Sequence, residues 1–407
     1  MNKGKEFSVE ISNAGSEGYA TATTLEMPAT WAEFHDALHR ARISDGRVCH
    51  NELLQVRRKE FPSALIGRDV NLYELNLLAQ RLTMLTNEQD FAFEGLLKMK
   101  QANTSAPIPL CQLINLTFQA NSCCVASNIF SYKELGELLF EGEMLPNEAI
   151  TLLETAEPNS EYKNSLLAAF GKKHCEDEGG VITSRGYVET GGGDFKEVYV
   201  PGEMAYFDRS GAPVVLEVST NRNDGKKVIL NLPAAYGAID WMLEALDTAS
   251  PEECTYRCTD CLIPAAREMI DNAMDMDGVN KFAEVLEQME RRCGLEDQIK
   301  YKALLEASDC ADLESAAKLL RELDAYELHP EIAEPWDYAK AVIKEKYPDL
   351  APVLFQTGQF CQIGNKMLEE SNTDLTSYGL ICRTDGGPLP TLEQEHAGAT
   401  MEMGGIQ

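Results

Sequence analysis

Positive charge is scarce in this chain. Its 407 residues hold 36 lysines and arginines against 66 aspartates and glutamates, which leaves a net charge of −30 and a pI near 4.6. Binding to nucleic acid or to an anionic membrane surface is therefore disfavoured over most of the surface, because both need lysine and arginine opposite phosphate. Long apolar runs are missing as well. No stretch approaches the roughly 20 apolar residues of a membrane span, and the opening Met1-Asn2-Lys3-Gly4-Lys5-Glu6 has no apolar run of the signal-peptide kind. A cytoplasmic protein without membrane contact is expected. No serine or cysteine stands in a nucleophile-elbow context, and no clustered His/Asp pair points to acid–base work. Gly191-Gly192-Gly193-Asp194 is not followed by the Lys-Ser/Thr of a phosphate cradle and reads as a turn. The expectation is a non-enzyme with no catalytic residue, no cofactor and no bound metal.

What the chain has is size and enough apolar residues, 44%, for two to four compact domains. Its twelve cysteines are scattered, include the adjacent Cys123-Cys124, and read as reduced thiols rather than staples. Three groups of possible metal ligands each lack a member. His35 and His39 stand four apart on a predicted helix, with Asp36 between them, but bring no third ligand. Cys254, Cys258 and Cys261 contain one Cys-x-x-Cys and no second pair at zinc-ribbon distance. Asp275, Asp277, Gly278 and Glu284 match places in a calcium loop whose first ligand position is Ala273, and acids ahead of a helix are expected simply as caps.

The sequence also repeats itself. Leu25, Met27, Pro28, Ala29 and Trp31 recur as Leu230, Leu232, Pro233, Ala234 and Tyr236, and the alternating Val9-Glu10-Ile11-Ser12 recurs as Leu216-Glu217-Val218-Ser219. The apolar stripe Leu72, Leu75, Leu78, Leu82 is matched by Val279, Phe282, Val285, Met289. Near the ends of the two copies Gly171, Lys173, Glu176, Thr183, Ser184 and Gly186 are identical to Gly364, Lys366, Glu369, Thr376, Ser377 and Gly379, at a constant offset. An internal duplication accounts for all of these.

Periodicity predicts a hairpin from Phe7 to Asn13 and Ala20 to Met27, and a helix from near Thr30 with Trp31, Phe34 and Leu38 on one side. A helix pair follows from Asn71, with Glu74 closing a capping box, to about Met99. Beyond a linker, helices through Leu113–Phe118 and Tyr132–Phe140 precede a strand-turn-strand near Val181–Tyr199. The second copy, from about Pro213 to Arg383, is expected in the same order, and from Gly386 a mobile tail.

One feature has functional reach. Glu134, Glu137, Glu141, Glu143, Glu148, Glu154, Glu157 and Glu161 fall mainly three or four apart where helices are predicted. Such side chains stand roughly 5–6 Å apart on one face, close to the spacing of phosphates along a strand. Glu284, Glu287, Glu290, Glu296 and Asp297, then Glu306, Asp309, Asp312 and Glu314, form a comparable series in the second copy. A solvated acidic face is the plainer account of such runs. Residues 1–200 hold 28 acidic and 18 basic residues, leaving 38 and 18 for residues 201–407, so the second copy is expected to be the stronger binder.

Taken in order, Val9-Glu10-Ile11-Ser12-Asn13, Glu17-Gly18, Leu25-Glu26-Met27-Pro28, Leu75-Asn76-Leu77-Leu78, Tyr132-Lys133-Glu134-Leu135, Phe170-Gly171-Lys172, Val181-Ile182-Thr183 and Glu197-Val198-Tyr199 resemble the ArdA family of antirestriction proteins, over about residues 7–200. The resemblance implies an α+β, elongated multi-domain chain of two tandem ArdA-like units. Each unit is expected to hold a small α/β domain, a helical domain and a second small α/β domain: 6–65, 66–105 and 106–203, then 210–275, 276–309 and 310–385, with 386–407 a flexible tail. It implies a stoichiometric DNA mimic from a mobile genetic element, such as a conjugative transposon, that occupies the DNA groove of a type I restriction-modification enzyme or another DNA-binding protein. No nucleic acid is bound directly, and one chain acts as a monomeric pseudo-dimer. The acidic mimic surface is expected at Glu134, Glu137, Glu141, Glu143, Glu148, Glu284, Glu287, Glu290, Glu306, Asp309 and Asp312. The alternative is a mobile-element accessory scaffold that binds a basic protein partner without mimicry.

Overall fold

The computed structural model describes residues 4–13, 21–58, 61, 66–102, 106–158, 160–191, 197–203, 206–207, 211–220, 225–273, 275–308, 310, 312–349, 351 and 360–390. It is a mixed α/β protein whose strands form three-stranded sheets. Two compact units divide the chain, one made of residues 1–10, 24–28 and 46–207 and the other of 11–23, 29–45 and 208–407. Helix α1 (Trp31–Arg40) is thus part of the second unit, whereas the sequence reading kept it inside a 6–65 subdomain. Among the described residues no helix is long and apolar enough to cross a membrane.

The sheet β2-β1-β3, formed by β1 (Phe7–Ser12), β2 (Thr23–Met27) and β3 (His50–Val56), has most of its residues in the first unit. Strict alternation in β1 buries Phe7, Val9 and Ile11 on one face. Beyond the sheet, α2 (Leu72–Met84), α3 (Asn87–Ala102) and α4 (Leu110–Gln119) supply the helical part. Leu72, Leu75, Leu78 and Leu82 are the buried stripe of α2. Asn71 caps this helix by accepting the Tyr73 N–H at 3.0 Å, but Glu74 does not close a capping box. Its carboxylate accepts the Tyr199 hydroxyl at 3.0 Å instead.

The absence of charge over residues 101–132 has a physical reason in α4, which buries Leu110, Leu113, Ile114 and Leu116 and leaves no room for an ion. Its buried amide, Asn115, is fully used: it accepts the N–H groups of Val198 and Tyr199 at 2.8 Å and donates to the Tyr199 carbonyl at 2.9 Å. The closing part comprises β4 (Cys124–Ser127), α5 (Tyr132–Glu141), α6 (Asn147–Thr155), α7 (Glu161–Asp177), β5 (Val181–Ile182) and β6 (Gly186–Glu189), with antiparallel sheet order β4-β6-β5. Gly186, at φ +140°, is a position for glycine alone. The turn before it is pinned by Glu94, which accepts both the N–H and the hydroxyl of Ser184.

In the second unit the sheet β8-β7-β9 is built from β7 (Val214–Thr220), β8 (Lys227–Leu232) and β9 (Cys254–Cys261). A register shift between Val215 and Leu216 opposite β9 lets Cys258 and Cys261 both face inward, although they stand an odd three positions apart. The Cys-x-x-Cys spacing is therefore a bulged strand with two buried thiols. Helices α8 (Ala238–Ala245), α9 (Arg267–Asn272), α10 (Met276–Arg292), α11 (Leu295–Ala307) and α12 (Leu313–Arg321) follow. Asp275 caps α10 through the Asp277 N–H at 3.0 Å, the structural role expected of that acidic stretch. The last part is β10 (Tyr326–His329), α13 (Pro335–Lys346), α14 (Phe360–Glu369), β11 (Thr373–Thr376) and β12 (Gly379–Arg383), in sheet order β10-β12-β11. One continuous core runs from Leu216 and Leu230 through Phe282, Leu286 and Tyr301 to Tyr378 and Ile381. Trp31 of α1 packs against it. Residues beyond Pro390 in the expected tail, and Gly192, Gly193 and Asp194 in the expected turn, lie outside the described residues.

Candidate functional site: the acidic face of the first unit

Residues 134–161 contain eight glutamates and no lysine, arginine or aspartate. Three helices carry six of them, and Glu143 and Glu157 lie in the connections between the helices. Ser131 caps α5 by accepting the Glu134 N–H at 3.2 Å, and α5 buries Leu135, Gly136 and Leu139. Pro146 starts α6, which turns only Ala149 and Leu153, one helical turn apart, inward. Ser160 caps α7, whose buried line is Leu167, Gly171 and Cys175. Two glycines let α5 and α7 touch backbone to backbone. A Cβ on Gly136 would fall on the Leu167 carbonyl, and one on Gly171 on the Tyr132 carbonyl. With the inner faces so close, the long polar side chains have only the outer surface to occupy.

The glutamates are not equivalent. Glu134 is half-buried and accepts the Phe130 N–H at 2.7 Å, which holds its carboxyl below the usual carboxylate range. Glu137 is paired with Lys133 at 3.1 Å. In contrast, Glu141, Glu143, Glu148, Glu154, Glu157 and Glu161 are exposed, and their carboxylates meet no hydrogen-bond or ion-pair partner among the described residues. Further along α7, Lys172 and Lys173 sit near Glu176 and Asp177, at 3.7 and 3.0 Å, so cations accompany the acids there, unlike residues 141–161. Exposed apolar side chains are interleaved with it: Met144 is 60% accessible and Tyr162 59%.

The second series behaves differently. Glu284 accepts from the Asn280 amide at 3.2 Å, Glu287 pairs with Arg291 at 2.8 Å, and Glu290 is half-buried. Glu306 accepts the N–H and hydroxyl of Ser377, at 2.8 and 2.5 Å. Asp312 caps α12 through the Glu314 and Ser315 N–H groups. Asp309 lies outside the described residues. A cap, two i,i+4 partners and a turn contact thus occupy Asp312, Glu284, Glu287 and Glu306 of the expected outward face.

No family model, curated protein or solved structure matches this chain.

A second constellation, invisible to pattern reading, lies inside the second unit. Asp36 of α1 is reached by Lys302 at 2.8 Å, by the Tyr378 hydroxyl at 2.8 Å and by Arg40 at 3.1 Å, with Lys302 and Asp36 side chains only 5% and 8% accessible. Burial lowers the Lys302 pKa. Burial also raises that of Tyr378, followed by the Asp36 charge. The arrangement is a buried ion cluster.

Among the described residues the two histidines of α1 join no cluster of three possible metal ligands. His35 donates from Nδ1 to the Trp31 carbonyl at 2.8 Å, while His39 has Nδ1 3.5 Å from the Lys302 ammonium, a neighbour that repels a cation. Burial, and then the Lys302 charge, depress the His39 pKa to about 4. Because this lies below the unfolded value of about 6.5, the folded chain binds fewer protons between the two. The contribution to stability is present above pH 6.5 and is lost as the pH falls toward 4. After allowance for solvent screening it amounts to about 1–2 kcal/mol. In urea titrations, the drop in midpoint between pH 7 and 4.5 is expected to be smaller for His39→Gln than for the parent. Equal drops would show that His39 does not titrate in this way.

Proposed function

We propose that this chain is an antirestriction protein of ArdA type, a stoichiometric acidic DNA mimic that fills the DNA groove of a type I restriction-modification enzyme and so shields an incoming mobile element. The observation that carries the reading is the stretch from Glu141 to Glu161, six exposed carboxylates with no compensating cation between them. A surface of this kind is attracted to a groove lined by lysine and arginine, and the attraction is screened by salt. The net charge of −30 adds a general field of the same sign.

The proposal includes a tandem duplication. Supporting it, the sheets β2-β1-β3 and β8-β7-β9 have the same order, as do β4-β6-β5 and β10-β12-β11. Gly186 and Gly379 share φ +140°. Thr183 donates its hydroxyl to the Gly186 carbonyl, as Thr376 does to that of Gly379. The Glu94–Ser184 latch is matched by Glu306–Ser377. A Cβ on Gly364 would strike the Pro335 carbonyl, just as one on Gly171 strikes that of Tyr132. From Tyr132 to Gly171 is 39 positions and from Pro335 to Gly364 is 29, so the first copy has ten more residues where α6 and its glutamates stand.

The test is competition. Replacing Glu141, Glu143, Glu148 and Glu154 by glutamine is expected to raise the concentration needed to displace DNA from a type I enzyme by about tenfold or more, and raised salt to weaken the parent more than the variant. No displacement by the parent at any concentration would end the mimicry reading. The exposed Met144 and Tyr162 favour one other reading, a mobile-element scaffold that binds a basic protein through a mixed acidic and apolar surface without imitating DNA. That reading predicts binding that persists when DNA is in excess.

A further inference from the structure

We propose that Glu327, His329 and Cys382 form a Zn²⁺ site on the sheet of β10, β12 and β11, with a fourth position left to water. One ligand atom from each of the three lies within 4.8 Å of the others. Strand geometry explains why. Glu327 stands directly opposite Cys382 in the antiparallel register, and His329, two residues further along β10, projects to the same face. The alternate residues Leu328 and Ile381 pair on the opposite face, where Ile381 joins the core. All three candidate ligands retain access to solvent, so an ion can enter without unfolding the sheet.

The donor set selects the metal. Thiolate, imidazole and carboxylate together suit Zn²⁺, whereas Ca²⁺ and Mg²⁺ require oxygen throughout. Tetrahedral zinc, with bonds of about 2.0–2.3 Å, places its ligand atoms about 3.3–3.8 Å apart. The side chains therefore need to close by about 1 Å, which rotation about χ angles supplies without moving the strands. A carboxylate stands beside His329, whose Nδ1 lies 3.3 Å from Glu331. With Nδ1 facing that acid, Nε2 is the nitrogen assigned to the metal, and the acid is placed to receive the other ring N–H once the ion binds.

The first unit supplies a control. In the sheet β4-β6-β5 a cysteine and a glutamate also face each other, Cys124 opposite Glu189, but Ala126 occupies the position two residues along from Cys124. Glu189 is instead engaged by His174 at 3.0 Å and by the Tyr187 hydroxyl at 2.9 Å, and among the described residues these groups gather no three ligand atoms with Cys124, so that sheet is expected to hold no ion.

Full-length protein stripped with chelator and titrated with ZnCl₂ is expected to bind one equivalent at this site, and Co²⁺ in its place to show a thiolate-to-metal absorption band in the near ultraviolet. His329→Ala and Cys382→Ser should each lose that equivalent and that band, while Cys124→Ser keeps both. Circular dichroism of the metal-free variants, matching that of the metal-free parent, separates loss of ligand from loss of fold. Zinc bound equally by parent and Cys382→Ser, or a Co²⁺ complex without a thiolate band, would overturn the assignment.

Discussion

Alanine at Gly171 or at Gly364 is expected to destabilise its unit by about 3 kcal/mol or more, at the upper end of overpacking costs. Two effects of opposite sign compete. Alanine is the better helix former by about 0.8–1 kcal/mol, which taken alone would make both substitutions stabilising. Against this, the new methyl falls on a backbone carbonyl, that of Tyr132 for Gly171 and that of Pro335 for Gly364, and not on the movable end of a side chain. The helices must separate, and separation undoes the packing of Leu135, Leu139 and Cys175 in one unit and of Ala339, Ile343 and Phe360 in the other. Urea midpoints for the two variants should both fall. A midpoint equal to that of the parent for either one would show that the crossing relaxes at no cost. Gly179→Ala, at an open position, serves as the reference for glycine replacement without a collision, although its φ of +62° adds a local strain of its own.

Asp36→Ala is expected to cost about 3–5 kcal/mol, because it leaves the buried Lys302 ammonium without its carboxylate. A buried pair adds little net stability, but half of one is expensive. It follows that Asp36→Asn combined with Lys302→Met should recover most of the loss, and the coupling energy from the double-mutant cycle should be large. If the double variant were as unstable as Asp36→Ala, the cluster would act through Tyr378 and Arg40 rather than through the Asp36–Lys302 pair.

Periodic elements were legible in the sequence. The expected hairpin corresponds to β1 and β2, the helix after Thr30 to α1, with Thr30 and Glu33 forming its capping box, and the segments near Leu113 and Tyr132 to α4 and α5. What pattern reading missed has little pattern to offer. Strand β3 is mostly exposed, so its residues do not alternate, and β9 carries a bulge that breaks the period of two among its cysteines. Helix α6 buries only Ala149 and Leu153, too narrow a stripe to announce itself.

The site was legible as composition but not as chemistry. Spacing three and four apart picks out acids on a common face, yet the same spacing builds caps and salt bridges. Nothing in the string separates Glu141, whose carboxylate meets no partner among the described residues, from Glu306, which holds a turn 71 residues away. Long-range partners were illegible for the same reason: Asp36 meets Lys302 and Tyr378, and Glu327 meets Cys382, only because the fold brings distant segments together.

The membership of α1 in the second unit has a consequence for biosynthesis. A ribosome releases this helix early, with Phe34 and Leu38 on its apolar side, but Lys302 and Tyr378 are made far later. At about 5–20 residues per second, the nascent chain carries that greasy segment unburied for roughly 20–70 s before Tyr378 emerges. A fragment ended at residue 207 would carry it permanently. Cutting the gene at its apparent midpoint therefore separates no independent halves, and the N-terminal product is the one expected to need a chaperone.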